Sequence, residues 1–203
     1  MTQENPAMAL YVILKKVVNS EARTVAAGWG SALGSAPNDK DFPQKHAEVV
    51  NLFAETQRYL LSLPEGNMDW EIYGKYLPSW YNAVIFRKLW DNTQYPAKSI
   101  INAAALDQLG GLGSLLGRTE RAVLDDSSIE NLKNGLEKWR ELLDDSGISA
   151  DVKEQIKAQV NHITWLLENM DTFGPNPVVR EARNLAGLGF QLMSQLPSTI
   201  KKI

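Results

Sequence analysis

The sequence predicts an all-α protein: a single-domain bundle of about seven helices, with an αα-hairpin and a final helix at its C-terminal end. Apolar residues recur every three or four positions in one segment after another, which is the spacing of one face of an α-helix. No run of alternating apolar and polar residues is bounded by the turn residues of a β-hairpin. Hydrophobic residues make up 44% and charged residues 22% of the 203 positions, which is typical of a chain that folds around its own core.

Two helices are predicted in the N-terminal third of the chain. The first carries a slightly irregular apolar stripe, made of Met8, Tyr11, Val12, Val18 and Val25. The residues 11–14 also have the composition of a strand, but the longer stripe favours the helix. In the second helix, Asp41 is expected to cap the N-terminus, Pro43 lies near the first turn, and Pro64 ends the helix.

The next segment is dense in tryptophan and tyrosine. Six of these rings fall within 21 residues: Trp70, Tyr73, Tyr76, Trp80, Tyr81 and Trp90. Tryptophan, tyrosine and arginine are the residue types that anchor protein interfaces, but rings of this size also fill ordinary cores. The segment therefore predicts either core packing or a surface for a partner or pocket. The candidate interaction residues are Trp70, Tyr73, Trp80, Tyr81, Arg87 and Trp90.

The glycine-rich stretch GGLGSLLG, residues 110–117, raises the question of a phosphate-binding loop. A dinucleotide loop needs a strand before it and the spacing G-x-G-x-x-G. Here the spacing is G-x-G-x-x-x-G, the preceding INAAALDQL is typical of a helix, and no Lys-Ser or Lys-Thr pair follows. The stretch predicts a close approach of two helices or a frayed helix end at a hinge, and no nucleotide site.

The C-terminal third predicts a helical hairpin and a last helix. Ser127 and Glu130 have the spacing of a capping box, and Gly147 is expected to end the first of these helices in a left-handed conformation. Ser149 then caps a second helix, whose narrow apolar seam is made of Val152, Ile156, Val160, Ile163, Leu167 and Met170. After the break Gly-Pro-Asn-Pro, residues 178–196 line the last helix.

One domain over residues 1–203 is favoured over two. The chain contains no internal repeat and no low-complexity linker. The loop near residues 118–127 is the best candidate for a boundary, if the chain has one.

Charge and composition argue against several functional classes. The formal net charge of -3 provides no positive field to attract nucleic acid. The chain has no cysteine, and its two histidines, His46 and His162, are more typical of packed polar residues than of catalytic bases. The pairs at 125–126 and 144–145 are aspartates at helix ends, where carboxylates commonly cap the backbone. We therefore expect no catalytic residue, no metal ligand and no cofactor.

The N-terminal stretch predicts a protein that is not exported. MTQENPAMALYVILKK carries an acidic residue and no basic one before its short apolar run, the reverse of a secretory signal. The longest uncharged run, residues 184–200, contains two glutamines and a proline and falls short of the roughly 18–20 apolar residues of a membrane span. We expect a cytoplasmic protein.

The layout of the chain resembles that of a group of uncharacterised bacterial all-helical proteins from mobile-element or defence-type loci. The resemblance is carried by residues 129–193, from IENLKNGLEKWRELL to GLGFQLM, and by the ring-rich LPEGNMDWEIYGKYLPSWYNAVIFRKLW. It extends over about the whole chain but consists of packing residues and contains no catalytic motif. It implies a helical fold and a bacterial setting, and it implies no reaction.

These observations predict a non-enzymatic, cytoplasmic protein-interaction module with an accessory, regulatory or immunity-like role. Its expected partner is another protein, including a second copy of the chain, and nucleic acid is disfavoured. Two alternatives stay open. One is a small-molecule or nucleotide-signal binding protein whose rings and glycine hinge form a pocket. The other is a metal-dependent hydrolase that uses its aspartates and glutamates.

Overall fold

The computed structural model describes residues 5–85, 90–118, 124–143 and 148–195, the last range with side chains as far as residue 189. Within these ranges every regular element is helical, which confirms the all-α prediction. The α-helices are α1 (Pro6–Asn19), α2 (Val25–Leu33), α3 (Phe42–Leu61), α4 (Met68–Tyr73), α5 (Leu77–Ile85), α6 (Ala103–Leu116), α7 (Asp126–Leu143), α8 (Ala150–Glu168), α9 (Met170–Phe173) and α10 (Asn176–Gln195). Single 3₁₀ turns occupy Gly74–Tyr76 and Ala97–Ser99.

The chain divides into two compact units. Unit 1 comprises Met1–Arg121 with Thr172–Gly174, and unit 2 comprises Ala122–Asp171 with Pro175–Ile203. The first division falls inside the stretch 118–127 that the sequence marks as the boundary candidate. The prediction that residues 1–203 fold as one cooperative domain stays a prediction.

Helix α1 is the centre of unit 1. It packs against α2, α3 and α6, and its fully buried side chains come from both sides of the helix: Ala7, Ala9, Leu10, Ile13, Leu14 and Val17. Asn5 begins the helix because its side-chain oxygen accepts the backbone N–H of Met8 at 2.9 Å. An apolar helix covered on several sides is what a central core element requires.

The prediction of one continuous helix from Met8 to Val25 is wrong. The chain leaves α1 after Asn19, turns through Glu21 in a left-handed conformation (φ 55°), and begins α2 at Val25. Thr24 caps α2 by accepting the backbone N–H of Ala27 at 3.1 Å. The residues assigned to one stripe therefore belong to two helices.

The glycines of α6 allow that helix to lie directly against α1. A Cβ atom at Gly113 would lie 2.8 Å from the backbone Cα and N of Met8, and one at Gly110 would lie 2.9 Å from the ring of Tyr11. Asn5 also donates its side-chain N–H to the carbonyl oxygen of Gly113 at 2.8 Å. The close-approach reading of GGLGSLLG is confirmed, and its first seven residues lie inside a helix.

Helix α3 begins and ends as the sequence predicts, but its cap works differently. Asp41 occupies the cap position without bonding the backbone of the first turn. Its carboxylate accepts the Ser35 hydroxyl at 2.6 Å and pairs with Lys45 at 2.9 Å. The Ser35 hydrogen bond, followed by the Lys45 bond, lowers the pKa of Asp41. The helix ends at Leu61, before Pro64.

Unit 2 is built from α7, α8 and α10. Helix α8 contacts both α7 and α10, and the buried core consists of Leu136, Ile156, Val160, Ile163, Leu166, Val178 and Leu185. Of the predicted α8 seam, Ile156, Val160 and Ile163 are buried, and Val152 and Leu167 are partly buried and pack against the same core; Leu166, outside the predicted seam, is buried as well. Met170 lies beyond the end of α8, in α9.

The capping details of unit 2 differ from the expectations. Asp125, rather than Ser127, caps α7, because its carboxylate accepts the backbone N–H of Ser128 at 2.7 Å. Its hydrogen bonds with Ser128 lower the pKa of Asp125. Ser149 stands at the cap position of α8 without a side-chain cap bond. Gly147 lies outside the described residues.

A polar network joins α8 to α10. The carboxylate of Glu181 accepts hydrogen bonds from Gln159 at 2.6 Å, from Asn184 at 3.0 Å and from Arg180 at 2.5 Å. Burial opposes ionisation of this side chain, which is 13% exposed, but the three hydrogen bonds outweigh burial and lower the pKa of Glu181. The network is a pH-dependent link within unit 2.

Candidate functional site

Two of the candidate rings belong to the core of unit 1. Trp80 is fully buried, and its indole N–H donates to the carbonyl oxygen of Ala105 at 2.8 Å. Trp90 is 3% exposed and stacks on Trp29 with ring centroids 5.7 Å apart. Neither side chain is accessible to a partner. The core-packing alternative therefore applies to both, and neither remains a candidate interface anchor.

His46 lies in the same aromatic cluster. Its ring stacks on Phe42 at 5.6 Å and meets the edges or faces of Trp29 and Trp90 at 5.4 and 5.3 Å. Its Nε2 atom lies 2.9 Å from the carbonyl oxygen of Val84. The ring is packed and hydrogen-bonded, as expected of a structural histidine.

Exposed apolar side chains concentrate in the segment 61–81. Seven large apolar side chains are exposed in the described residues, and five of them lie in this segment: Leu61, Met68, Trp70, Ile72 and Tyr81, between 37% and 72% exposed. We call these five the 61–81 surface. The other two, Tyr95 and Leu142, lie apart from it in the chain. Clustering of this kind marks an interaction site more often than scattered exposure does.

Helix α4 supplies three of the five side chains and contributes no buried residue. Four of its six residues are apolar or aromatic, so the helix is apolar without being covered. It touches α3 and α6, and Asn67 caps it by accepting the backbone N–H of Asp69 at 2.8 Å. A six-residue helix with no buried side chain gains little from packing, which makes α4 the least covered helix of unit 1.

Close packing holds the aromatic members of the 61–81 surface in place. The Trp70 ring lies over Gly74, where a Cβ atom would come within 3.1 Å of the indole. The Tyr81 ring meets Phe53 of α3 at 5.9 Å between ring centroids. Since these rings are fixed before any partner arrives, binding would cost little side-chain entropy.

A second set of rings connects this surface to the core. Tyr76 stacks on the buried Trp80 with ring centroids 6.3 Å apart, and the Lys75 ammonium lies over the Tyr76 ring, 5.3 Å from its centroid. Tyr73 lies against Gly111 of α6, where a Cβ atom would be 3.6 Å from its hydroxyl. The surface therefore rests on a rigid base.

Acidic residues outnumber basic ones by three to one between residues 61 and 81. Between residues 61 and 74 the chain carries Glu65, Asp69 and Glu71 and no basic residue. None of the three carboxylates forms an ion pair within the described part of the chain. The nearest base that follows, Lys75, is held over the Tyr76 ring.

Sequence reasoning found part of this surface. Trp70 and Tyr81 belong to it, Tyr73 lies partly buried beneath it, and Arg87 lies outside the described residues. It missed the aliphatic members, because leucine, isoleucine and methionine look like core residues in a helical pattern. The available signal was the run MDWEI, in which acids separate three large apolar residues.

The remaining candidate features are metal-binding clusters, membrane-spanning helices and clefts in the described ranges. There, no group of three or more histidine, aspartate or glutamate side chains is placed to hold a metal ion. The described parts of the helices also include none that is long and apolar enough to cross a membrane. Three clefts, of about 550, 540 and 380 Å³, have linings that include no residue of the 61–81 surface.

Comparison with protein-family models, with curated proteins and with solved structures finds no match to this chain. The functional argument therefore rests on the geometry of the chain itself.

Proposed function

We propose that the chain is a protein-binding module that docks a partner on the 61–81 surface. The observation that carries the proposal is that five of the seven exposed large apolar side chains of the described residues lie on this surface. Many residues of the same types elsewhere in unit 1 are buried, among them Trp29, Leu52 and Met8, whereas Tyr95 is exposed outside this segment. Selective exposure in one segment, rather than general apolar exposure, is typical of an interface.

The energetics favour a partner of protein size. Covering apolar surface stabilises a complex by about 25 cal/mol per Å² before the costs of association are subtracted. Tryptophan and tyrosine are prominent among the side chains that dominate such interfaces. Trp70 and Tyr81 combine both properties with a fixed position, because each ring is packed against its own unit. We expect these two to contribute most of the binding energy.

The experiment is site-specific photo-crosslinking in the native host. A photoreactive phenylalanine analogue at Ile72 or Tyr81 should trap one recurrent protein, identified by mass spectrometry. The same analogue at Tyr95 is the matched control, because that side chain is exposed to a similar degree outside the surface. Equal trapping at all three positions would contradict the proposal.

Substitution completes the test. With the analogue at Tyr81, the double variant Met68→Ser with Ile72→Ser should lose the trapped partner and keep its far-UV circular dichroism, since both side chains are exposed. Leu142→Ser, which changes an exposed leucine in unit 2, should leave capture unchanged. A folded double variant that still captures the partner would refute the 61–81 surface as the site. The wider accessory or immunity-like role in a bacterial defence-type locus, and the cytoplasmic location, stay predictions.

A further inference from the structure

We infer that the segment bound by the 61–81 surface is a basic amphipathic one, with lysines or arginines placed between apolar anchors. This inference rests on the proposed function and adds the chemistry of the partner. Its basis is the position of the exposed Met68 and Ile72 between the carboxylates of Asp69 and Glu71 on α4, with Glu65 in the turn that precedes this helix.

The helical geometry of α4 interleaves the two kinds of side chain. Successive residues of a helix are about 100° apart, so Met68 and Ile72 point within about 40° of each other. Glu71 then lies about 60° to one side of this pair, and Asp69 lies about 60° to the other side. Trp70 lies about 160° from both Met68 and Ile72, on the opposite side of the helix. A docked segment that covers Met68 and Ile72 therefore lies between the carboxylates of Asp69 and Glu71.

Those carboxylates need a partner of opposite charge once water is excluded. Burying a carboxylate without compensation is costly, and within the described part of the chain none of the three is paired. The nearby Lys75 does not compensate them, because its ammonium lies over the Tyr76 ring. A partner that supplies its own cations at these places removes the penalty and gains charge-assisted hydrogen bonds.

The same charges argue against other occupants. A second copy docked face to face would bring two sets of three carboxylates together, and like charges across an interface are unfavourable. The anionic surface of a membrane would repel the acidic surface for the same reason. An apolar segment without bases would cover the carboxylates and leave them unpaired.

The test uses two synthetic amphipathic peptides of about 14 residues, one with leucines and lysines and one with every lysine replaced by glutamate. Isothermal titration calorimetry of the full chain should show binding of the lysine peptide only. Its affinity should fall about tenfold or more between about 50 and 500 mM NaCl, because salt screens exposed charges. Equal binding of both peptides would overturn the inference.

Charge-reversal variants test whether the carboxylates of the 61–81 surface are responsible for binding the lysine peptide. The triple variant E65K/D69K/E71K should lose the lysine peptide and bind the glutamate peptide. The matched control E130K/E141K/E154K makes the same change in net charge on unit 2 and should keep its affinity within about twofold, since Glu65, Asp69 and Glu71 are unchanged. Equal loss in both triples would show a general charge effect and overturn the inference. Dimerisation through the 61–81 surface in light scattering, or binding to phosphatidylserine vesicles, would overturn it as well.

The two proposals fail in distinguishable ways. If crosslinking at Ile72 traps no partner, the proposed function fails. If it traps a partner whose capture survives both E65K/D69K/E71K and high salt, the proposed function holds and the basic character of the partner is refuted.

Discussion

Gly113→Ala tests the tight contact between α1 and α6 that organises unit 1. The added methyl group would lie 2.8 Å from two backbone atoms of Met8, well inside van der Waals distance. Backbone atoms cannot rotate away as a side chain can, so the two helices must move apart. Such overpacking of a buried contact costs about 1–3 kcal/mol of unfolding free energy.

Gly111→Ala is the matched control in the same helix. A Cβ at this position would lie 3.6 Å from the Tyr73 hydroxyl, which is ordinary contact. Both substitutions replace a helical glycine by alanine and gain about 1 kcal/mol of helix propensity. Because this gain is common to both, the difference in stability between the variants isolates the overpacking cost of about 1–3 kcal/mol.

Urea unfolding followed by far-UV circular dichroism measures the difference. Gly111→Ala should raise the unfolding midpoint above that of the unsubstituted chain, and Gly113→Ala should lie below Gly111→Ala. Equal midpoints would refute the argument that the α1–α6 contact excludes a Cβ atom at residue 113. The same curves test the single-domain prediction, because two separate transitions would show that the units unfold independently.

Three further predictions concern particular contacts. The lowered pKa of Glu181 means that its contribution to stability is present above the ordinary carboxyl range and is lost as the pH falls through its folded-state pKa, so Glu181→Gln should flatten the acid side of a stability–pH curve. Thr24→Ala should cost about 1 kcal/mol in urea unfolding, because it removes the cap of α2. In α10, Gly189→Ala would meet the Trp139 ring at 2.9 Å whereas a Cβ at Gly187 meets nothing within 4 Å, so thermal unfolding should show Gly187→Ala as the more stable variant.

Helix faces were the most predictable part of the fold. The apolar spacing identified α3 and α8 as helices, and in α8 it predicted three of the four buried residues, because these residues recur at the spacing of one helix face. Helix α2 was missed for the opposite reason: VAAGWGSAL has no polar side, and its two glycines lower its helix propensity. Only its packing in unit 1, with Trp29 fully buried, makes this segment helical.

The sequence predicted which types of residue cap the helices, but it did not predict the positions at which they do so. Asp125 and Ser127 are both good caps, and their position two residues apart in the chain leaves the choice to the packing of the helix that follows. The sequence showed that α7 begins near these residues. It could not show that Asp125 makes the bond to the backbone of Ser128, since that depends on where the apolar face of α7 meets the core.

For a related reason, the sequence could not predict which individual aromatic rings are buried. Trp80 and Tyr81 are neighbours in α5, and a rotation of about 100° separates a fully buried side chain from one that is about half exposed. Helical periodicity identifies a face, but it does not say how far the covering neighbours extend. Here α3 covers part of Tyr81 through Phe53 and leaves the rest exposed.

The 61–81 surface is important because the neighbouring helices leave α4 without a buried side chain. Helix α4 carries four apolar or aromatic residues and buries none of them, so the free chain holds it by a cap, by the Trp70–Gly74 contact and by its contacts with α3 and α6. A partner that covered α4 would supply the missing packing, and its binding would therefore also stabilise this part of unit 1.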